Sequence, residues 1–199
     1  MPPLTSRTAS VSRTTRETDI TLTLDVDGTG QTTVATGIGM LDHLLTAFAF
    51  HARLDLTLSC RGDLDVDDHH TTEDCAIALG TALDRALDDR RGIARFGYAY
   101  APLDEALARA VIDCSGRPYA RVALALRRER IGALACENVS HALTSLATAA
   151  RITLHVDLLE GDNDHHRAEA AFKAVALALR AAVARTKDEQ VPSTKGTLT

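Results

Sequence analysis

The chain has 199 residues, of which 45% are hydrophobic and 25% charged, and its formal net charge is −5 at pH 7. This composition is typical of a soluble globular protein with one sizeable core or two smaller ones. The negative charge offers no basic face to nucleic acid or to an anionic membrane, and Lys173 and Arg180 interrupt the longest apolar segment. Nucleic-acid binding and membrane insertion are therefore not expected.

The cysteines indicate a reducing compartment. The four of them are scattered, none forms a C-x-x-C motif, and the first residues contain no apolar signal segment. We expect reduced, mostly buried thiols and a cytoplasmic protein.

The first half of the chain begins with strand patterns and continues with helices. The first dozen residues are expected to be weakly ordered. Polar and apolar residues alternate over 18–27, and a turn leads to a short strand near 31–36. Helical spacing follows over 40–51, a strand pattern over 54–60, and a helix from about 69 to 89.

The second half repeats this order. Strands are predicted over 96–102, 106–114 and 119–127, a helix over 137–150, a strand over 151–157 and a helix over 164–185. The residues after 185 are polar and include Pro192 and Gly196, which predicts a tail without regular structure.

Direct alignment of the two halves supports an internal duplication. Residues 42–58 align without gaps with residues 140–156, so that His43 matches His141 and Arg53 matches Arg151. We therefore predict an α+β fold of two similar halves, each with a sheet and two helices, packed as one compact unit. The predicted halves are residues 8–92 and 93–186, and residues 187–199 form the tail.

The pattern H-H-x-x-E occurs once in each half, at 69–73 and at 165–169. Adjacent residues of a helix point about 100° apart, because a turn takes about 3.6 residues. The two imidazoles of one pair are therefore poor ligands for a single metal, but each can serve a different one.

The lone histidines of the aligned segments complete a set of six histidines and two glutamates. Divided evenly, this set gives two sites of three histidines and one glutamate. Its members are His43, His69, His70, Glu73, His141, His165, His166 and Glu169. Such ligands exclude a thiolate zinc site and suit Mn, Fe, Ni or catalytic Zn. His51 and His155 lie outside the set.

The acidic segment GDLDVDDHH, residues 62–70, has the spacing of a calcium loop only in part. Counted from Asp63, the sixth position holds Asp68 where glycine is needed, and the twelfth holds Asp74 where glutamate is needed. We interpret it as a solvated loop in which Asp68 is a candidate N-cap of the next helix.

Several segments resemble the monofunctional imidazoleglycerol-phosphate dehydratase family, and the resemblance runs from about residue 8 to 197. They include GIGMLDHLL (37–45), DDHHTTEDCAIALG (67–80), DCSGRPY (113–119), DNDHHRAEAAFKA (162–174) and PSTKG (192–196). The resemblance implies a ribosomal-protein-S5-domain-2-like fold and two Mn(II) ions per active site, bound by the eight residues above. It also implies a homo-oligomer of 24 chains with active sites at subunit contacts.

The resemblance further implies the reaction and the substrate residues. The reaction is elimination of water from imidazole glycerol phosphate to give imidazole acetol phosphate, in histidine biosynthesis. Among the metal ligands, His70, Glu73, His166 and Glu169 are the catalytic candidates. Glu17 is the candidate for proton transfer, with Asp104 or Glu105 as the next choice. The substrate-binding candidates, mostly for the phosphate, are Glu17, Arg95, Arg117, Lys173, Ser193 and Lys195.

Two other classes of function use similar ligands. A metal-storage or metal-sensing assembly would hold ions in His/Glu sites, but it would not need Arg95, Arg117 and Lys195. A two-metal hydrolase acting on a phosphorylated substrate usually relies on Asp-rich bridging ligands, which are not the ligands of this set.

Overall fold

The fold is described from a computed structural model, over residues 6–188 and 190–198. The elements of the first half are β1 (Thr8–Thr14), β2 (Thr18–Asp25), β3 (Thr32–Ala35), α1 (Gly39–Ala52), β4 (Asp55–Gly62) and α2 (His69–Leu87). Those of the second half are β5 (Phe96–Leu103), β6 (Ala106–Asp113), β7 (Tyr119–Ala123), β8 (Arg130–Ile131), β9 (Leu134–Ala135), α3 (Cys136–Ala149), β10 (Thr153–Glu160) and α4 (Asp164–Ala182).

Each half contains a four-stranded sheet of the same topology. The strand orders are β1-β2-β4-β3 and β5-β6-β10-β7, and in each sheet only the last pair is parallel. The registers also agree, since Thr8 pairs with Asp25 in the first hairpin and Phe96 pairs with Asp113 in the second. The predicted α+β fold with two similar halves is therefore confirmed.

The helices connect the two sheets into one molecule. Helix α2 packs on β1, β2 and α3, and helix α4 packs on β5, β6 and α1. Buried and exposed residues alternate along β2 and β6, so one face of each sheet packs on helices and the other faces outward. A single buried apolar cluster runs through both halves.

The turns after α1 and α3 show the duplication in the backbone itself. Arg53 and Arg151 both have positive φ, 59° and 52°, which is uncommon for residues other than glycine. Their backbone N–H groups donate to the carbonyls of Phe50 and Thr148, three residues earlier in each case. Matched residues thus end matched helices with the same turn.

The structure differs from the sequence expectation at β1 and β7, and it contains two short strands, β8 and β9, that were not predicted. The expectation of a weakly ordered start is wrong for β1, which pairs along its length with β2. Only Val11 of β1 is buried, so this edge strand lacks the apolar pattern that would identify it. Strand β7 ends at Ala123 rather than at 127, and Ala125 then adopts a positive φ of 48°.

The described part of the C-terminal tail, residues 187–188 and 190–198, has no helix or strand, as expected, but it is attached to the body of the protein. Leu198 is only 4% exposed, and its carbonyl accepts a hydrogen bond from the buried Arg90 at 3.4 Å. Gly116 leaves room for this carbonyl, since a Cβ at that position would lie 1.9 Å from the oxygen. A loosely attached tail is therefore the wrong description.

The four cysteines are buried free thiols, in agreement with the sequence expectation. Within residues 6–188 and 190–198, no helix has the length and apolar character needed to cross a membrane.

Candidate active site

The two H-H-x-x-E segments form the first turns of α2 and α4. The rings of His69 and His70 are 6.0 Å apart with an interplanar angle of 75°, and those of His165 and His166 are 6.1 Å apart at 86°. The adjacent imidazoles therefore face different surroundings, as their helical spacing requires.

Side chains just before each pair stabilise the helix starts. The Asp67 carboxylate accepts a hydrogen bond from the backbone N–H of His69 at 2.8 Å, and the Asn163 side chain accepts one from His165 at 2.9 Å. These bonds satisfy N–H groups that a helix leaves without an internal partner.

Asp68 occupies the N-cap position of α2, but its side chain does not cap the helix. Its carboxylate instead accepts hydrogen bonds from the backbone N–H of Ala135 at 2.7 Å and from the Asn138 side chain at 3.0 Å. The predicted capping role is therefore wrong, and Asp68 fastens the start of α2 to the start of α3.

One group of possible metal ligands, the His43 cluster, consists of His43, His165 and Glu169. The Nε2 atoms of His43 and His165 lie 2.9 Å and 3.3 Å from the same carboxylate oxygen of Glu169. His43 belongs to α1 in the first half, whereas the other two belong to α4 in the second.

The second group, the His141 cluster, consists of His69, Glu73 and His141. Nε2 of His141 lies 3.0 Å from Oε1 of Glu73, and the rings of His69 and His141 stack with centroids 4.9 Å apart. Here α2 of the first half supplies two residues and α3 of the second half supplies one. Each cluster thus combines residues from both halves of one chain.

The donor atoms of both clusters fit a divalent metal. In each cluster two imidazole nitrogens and a carboxylate oxygen lie within 4.8 Å of one another. Ligands at right angles on a metal with bonds of about 2.1 Å lie about 3 Å apart, close to the 2.9–3.3 Å nitrogen–oxygen separations found here. Nitrogen and carboxylate oxygen suit Mn, Fe, Ni and catalytic Zn.

The second histidine of each pair lies outside its cluster. Nδ1 of His70 is 3.0 Å from the Asp63 carboxylate, and Nδ1 of His166 is 2.7 Å from that of Glu105. These hydrogen bonds raise the pKa of both histidines. Within one chain each cluster therefore contains two histidines and one glutamate, not the three histidines and one glutamate expected from an even division.

The two clusters differ in their electrostatic surroundings. Nζ of Lys173 lies 2.7 Å from Oε1 of Glu169. Burial alone would raise the pKa of Glu169, but the hydrogen bonds from Lys173 and His43 outweigh it and lower the pKa to about 2. The matching position after Glu73 holds Ile77, so only the His43 cluster has a lysine beside its carboxylate.

The candidates for phosphate binding meet around Asp113. Its carboxylate accepts two hydrogen bonds from Arg95, at 2.7 Å and 3.1 Å, and lies 3.8 Å from Arg117. Arg95 also donates to the carbonyl of Pro192 at 2.8 Å, next to Ser193 in the tail. The fold thus brings Arg95, Arg117 and the tail together from distant parts of the sequence. The two arginines outnumber the single carboxylate of Asp113, so the group carries excess positive charge.

This cationic group lies far from the His43 cluster of the same chain. The backbone N–H of Arg95 donates to the carbonyl of Ala182, at the end of α4, whereas Glu169 lies in its first turns. Ala182 follows Glu169 by thirteen positions along the helix, or roughly 20 Å at 1.5 Å per residue. Among the described residues, Lys173 and Glu17 are the substrate-binding candidates that contact a predicted metal ligand.

Glu17 lies in the turn between β1 and β2, beside His70. Its carboxylate is 3.7 Å from Nε2 of His70, and its side chain is 51% exposed. Among the described residues no donor makes a hydrogen bond to this carboxylate. Glu105 differs, because two backbone N–H groups and His166 all donate to it.

The duplicated sheets and the paired His/Glu clusters define a two-fold repeated α+β protein with the ligand sets of a metalloenzyme. The family profile of imidazoleglycerol-phosphate dehydratase matches residues 36–179, which is more than half of the chain. The chain belongs to the imidazoleglycerol-phosphate dehydratase family, and it is accordingly a hydro-lyase. The resemblance noted in the sequence is confirmed.

Relatives named imidazoleglycerol-phosphate dehydratase match nearly the whole chain. That of Salinibacter ruber is 54% identical over 198 residues, covering 99% of this chain and 98% of its own length. That of Pyricularia oryzae is 51% identical over 219 residues, covering 96% and 97%. One from Phytophthora nicotianae is 57% identical over 192 residues, but the match spans only 42% of that longer protein.

Solved structures of the family have the same fold. The Staphylococcus aureus imidazoleglycerol-phosphate dehydratase superimposes with a TM-score of 0.82 at 37% identity, covering 90% of this chain and 99% of that one. The Pyrococcus furiosus enzyme, in complex with (S)-C348, gives 0.80 at 38% identity and covers 94% and 100%.

Sequence reasoning missed the residues that surround the candidate ligands. Asp63 and Asn138 accept hydrogen bonds from His70 and His69, and Asp113 holds Arg95. Asp63 was interpreted as part of a solvated loop. No local pattern assigns these contacts to Asn138 or Asp113, because their partners lie far away in the sequence. Glu105 was considered only for proton transfer.

Proposed function

We propose that the chain is a manganese-dependent enzyme of histidine biosynthesis that removes water from imidazole glycerol phosphate to give imidazole acetol phosphate. The observation that carries this proposal is the presence of two matched His/Glu clusters in a member of a dehydratase family. The free thiols of all four cysteines are compatible with the cytoplasm as its compartment.

Two Mn(II) ions per active site would be held by the two clusters together with His70 and His166. Both of these histidines have Nδ1 engaged by a carboxylate, which leaves Nε2 available as a ligand. Bound manganese would supply Lewis-acid stabilisation to the imidazole ring of the substrate and a template for its orientation.

Arg95, Arg117, Ser193 and Lys195 would bind the phosphate, and Lys173 would contact the substrate beside the metal site. Arg95 is oriented by Asp113 and fixes Pro192, which places the tail next to Arg117. Arg117 is 65% exposed and keeps donors for a phosphate oxygen. The tail would also cover the bound phosphate and exclude water.

Glu17 would move the proton. Its carboxylate faces the candidate ligand His70 and receives no hydrogen bond from another described group, so it is available to a substrate. Glu105 is the weaker candidate, because hydrogen bonds from the backbone of Asn163 and from His166 lower its pKa to about 2. A base works best when its pKa lies nearer the working pH.

The active site would be shared between chains of a homo-oligomer, a 24-mer by resemblance. Two observations support this. The cationic group around Asp113 lies roughly 20 Å along α4 from Glu169, and His70 and His166 lie outside the clusters of their own chain. Neighbouring chains can supply the missing parts to each other.

The decisive experiment is to mix the purified protein with Mn(II) and imidazole glycerol phosphate and to follow ketone formation. Replacing His43 or His141 with Ala should lower bound manganese and abolish the reaction. The matched control is His155→Ala, which removes a histidine next to Tyr119, outside both clusters. Full turnover after exhaustive chelation would disprove the metal requirement.

A further inference from the structure

The carboxylate of Glu105 is engaged on both oxygens. Oε2 lies 2.7 Å from Nδ1 of His166, and Oε1 accepts the backbone N–H groups of Asp162 at 3.2 Å and Asn163 at 2.8 Å. The two backbone donors belong to the loop that leads into α4. Glu105 therefore contacts both a candidate metal ligand and the segment that positions it.

These contacts constrain the location of a proton on the imidazole. A neutral histidine carries one N–H, and a carboxylate can only accept a hydrogen bond. The Glu105 carboxylate therefore favours the proton on Nδ1, so that Nε2 keeps its lone pair. Metal-ligating histidines usually have such a partner at the other ring nitrogen.

We propose that Glu105 is a positioning residue that fixes the orientation and tautomer of His166 and so keeps Nε2 of His166 ready for the metal. This inference rests on the proposed metal-binding function and assigns Glu105 a role other than proton transfer.

Comparison of the two halves supports this assignment. Thr14 pairs with Asp19 in the first hairpin and Pro102 with Leu107 in the second, so Glu17 and Glu105 occupy matching positions in the two turns.

Their contacts have nevertheless diverged. In the first half Asp63 accepts from Nδ1 of His70, and Glu17 faces the opposite nitrogen at 3.7 Å. In the second half Glu105 itself occupies the Nδ1 side of His166. Glu105 is thus hydrogen-bonded to a histidine in the second half, whereas Glu17 in the first half is available to the substrate.

The test uses the difference between a carboxylate and a carboxamide. In Glu105→Gln only one oxygen remains, and the two backbone N–H groups of the loop hold it. The NH₂ group then faces Nδ1 of His166 and can only donate. This moves the imidazole proton to Nε2 and blocks the metal. In Glu105→Ala the imidazole can adopt either tautomer. Glu105→Gln should therefore weaken metal binding more than Glu105→Ala does, although glutamine resembles glutamate more closely in shape.

Manganese affinity is measured on the full-length protein by competition with a chelator. We expect binding at the His166 site to weaken about 10-fold in Glu105→Ala and by up to about 100-fold in Glu105→Gln. The charge control is Glu160→Gln, which removes an exposed carboxylate at the end of β10. It should bind manganese as the native chain does. Thermal melting verifies that each variant folds.

The tautomer itself is observed by ¹⁵N solid-state NMR of histidine-labelled, metal-free protein, with His166→Ala to assign the signal. The native chain should carry the proton on Nδ1 of His166, and Glu105→Gln should carry it on Nε2. Equal affinity of the native and Gln proteins, or weaker binding by Ala than by Gln, would overturn the inference. A native chain that binds no manganese would instead overturn the proposed function, and the metal-free NMR result would still decide the role of Glu105.

Discussion

Individual side chains show how a duplicated site becomes asymmetric. Lys173 accompanies the carboxylate of one cluster, whereas the other cluster has Ile77 at the matching position. Glu17 and Glu105 match in sequence position but differ in every hydrogen bond that their carboxylates make. The two candidate metal sites are therefore nearly equivalent in their ligands but differ in the charged groups beside them.

Replacing Glu17 with Gln tests the proton-transfer role. We expect kcat to fall by about 10²- to 10⁴-fold, because an amide cannot accept the proton. Bound manganese should stay normal, since Glu17 is not among the proposed ligands. Both quantities are measured on the same sample, with Glu160→Gln as a control at an exposed position. Parallel loss of metal and activity would show that Glu17 supports the metal site instead.

At the scale of single residues, the sequence suggested candidate ligands but not the residues that hold them in place. His43 and His141 could be proposed because they occupy matched positions in the two halves. The H-H-x-x-E segments could be proposed because the pattern occurs once in each half. Asp63, Asn138 and Asp113 could not be proposed, since each acts on a side chain that only the fold brings near. Asp68 was assigned a local capping role, but a tertiary contact with Ala135 and Asn138 takes its carboxylate.

Among the elements, the tail connects stability with substrate binding. Removing residues 190–199 exposes the pocket of Leu198 and removes the Leu198 and Pro192 carbonyls from Arg90 and Arg95. Burial of a leucine is worth about 1.5–3 kcal/mol. We expect the free energy of unfolding to fall by about that amount, as measured by denaturant titration.

The point variant Lys195→Ala separates the two roles of the tail. Lys195 is exposed and its side chain takes no part in the Leu198 contact, so unfolding should be unchanged while KM for the phosphorylated substrate rises. Unchanged stability in the truncated protein would mean that the docked tail contributes nothing to the fold.

The loop after β2 joins the first half to the end of the second. Asp27 accepts hydrogen bonds from Arg7, ahead of β1, and from Arg185, after α4. The hydrogen bond from Arg7 has the largest effect and the one from Arg185 adds to it; together they outweigh burial and lower the pKa of Asp27 from 3.8 to about 2.

A carboxylate with a lowered pKa in the folded state stabilises the protein above its unfolded pKa. This stabilisation is lost as the pH falls through the folded pKa, that is, between about pH 4 and pH 2. We expect Asp27→Asn to be less stable than the native chain at pH 5–7, by under about 1 kcal/mol because the group is partly solvated. The difference should vanish toward pH 2. A difference that does not change with pH would contradict the ion-pair explanation.

The order of elements was predictable because periodicity marks long amphipathic segments. Helices α1 to α4 and most strands lie within a few residues of their predicted positions. Strand β1 was missed because it is polar except at Ala9 and Val11, which are too few to form an apolar pattern. The docking of Leu198 was missed because one apolar residue in a polar tail has no periodic pattern, and the buried Arg90 that receives it lies far away in the sequence.

For the molecule as a whole, the candidate catalytic groups lie at opposite ends. Glu17 and the clusters are near the starts of α2 and α4, whereas Arg95 and Arg117 are near the end of α4. A substrate bound to Glu169 and to Arg95 of the same chain would have to span roughly 20 Å along α4. Assembly would therefore be a condition for activity.

Subunit mixing tests shared sites directly. Glu17→Gln and Arg117→Ala should each be nearly inactive alone, and both keep every proposed metal ligand. The two variants are dissociated, mixed in equal amounts and reassembled. Up to about a quarter of the sites should then combine the intact Glu17 of one variant with the intact Arg117 of the other. Activity in the mixture would therefore recover to that level. If every site lay within one chain, the mixture would remain as inactive as its components.

Each cluster combines a lone histidine from one half with the H-H-x-x-E helix of the other half, and this pairing bears on the ancestry of the chain. A polypeptide of half this length would contain one lone histidine and one H-H-x-x-E helix, and the contacts found here join such groups only between different halves. Two copies of that polypeptide, paired as the halves are now, would build both clusters at once. The arrangement therefore indicates a self-pairing ancestor whose gene later doubled and fused. Fusion made the pairing permanent, and each copy could then change without its twin, which is how a lysine could arise beside one metal site and a free glutamate beside the other.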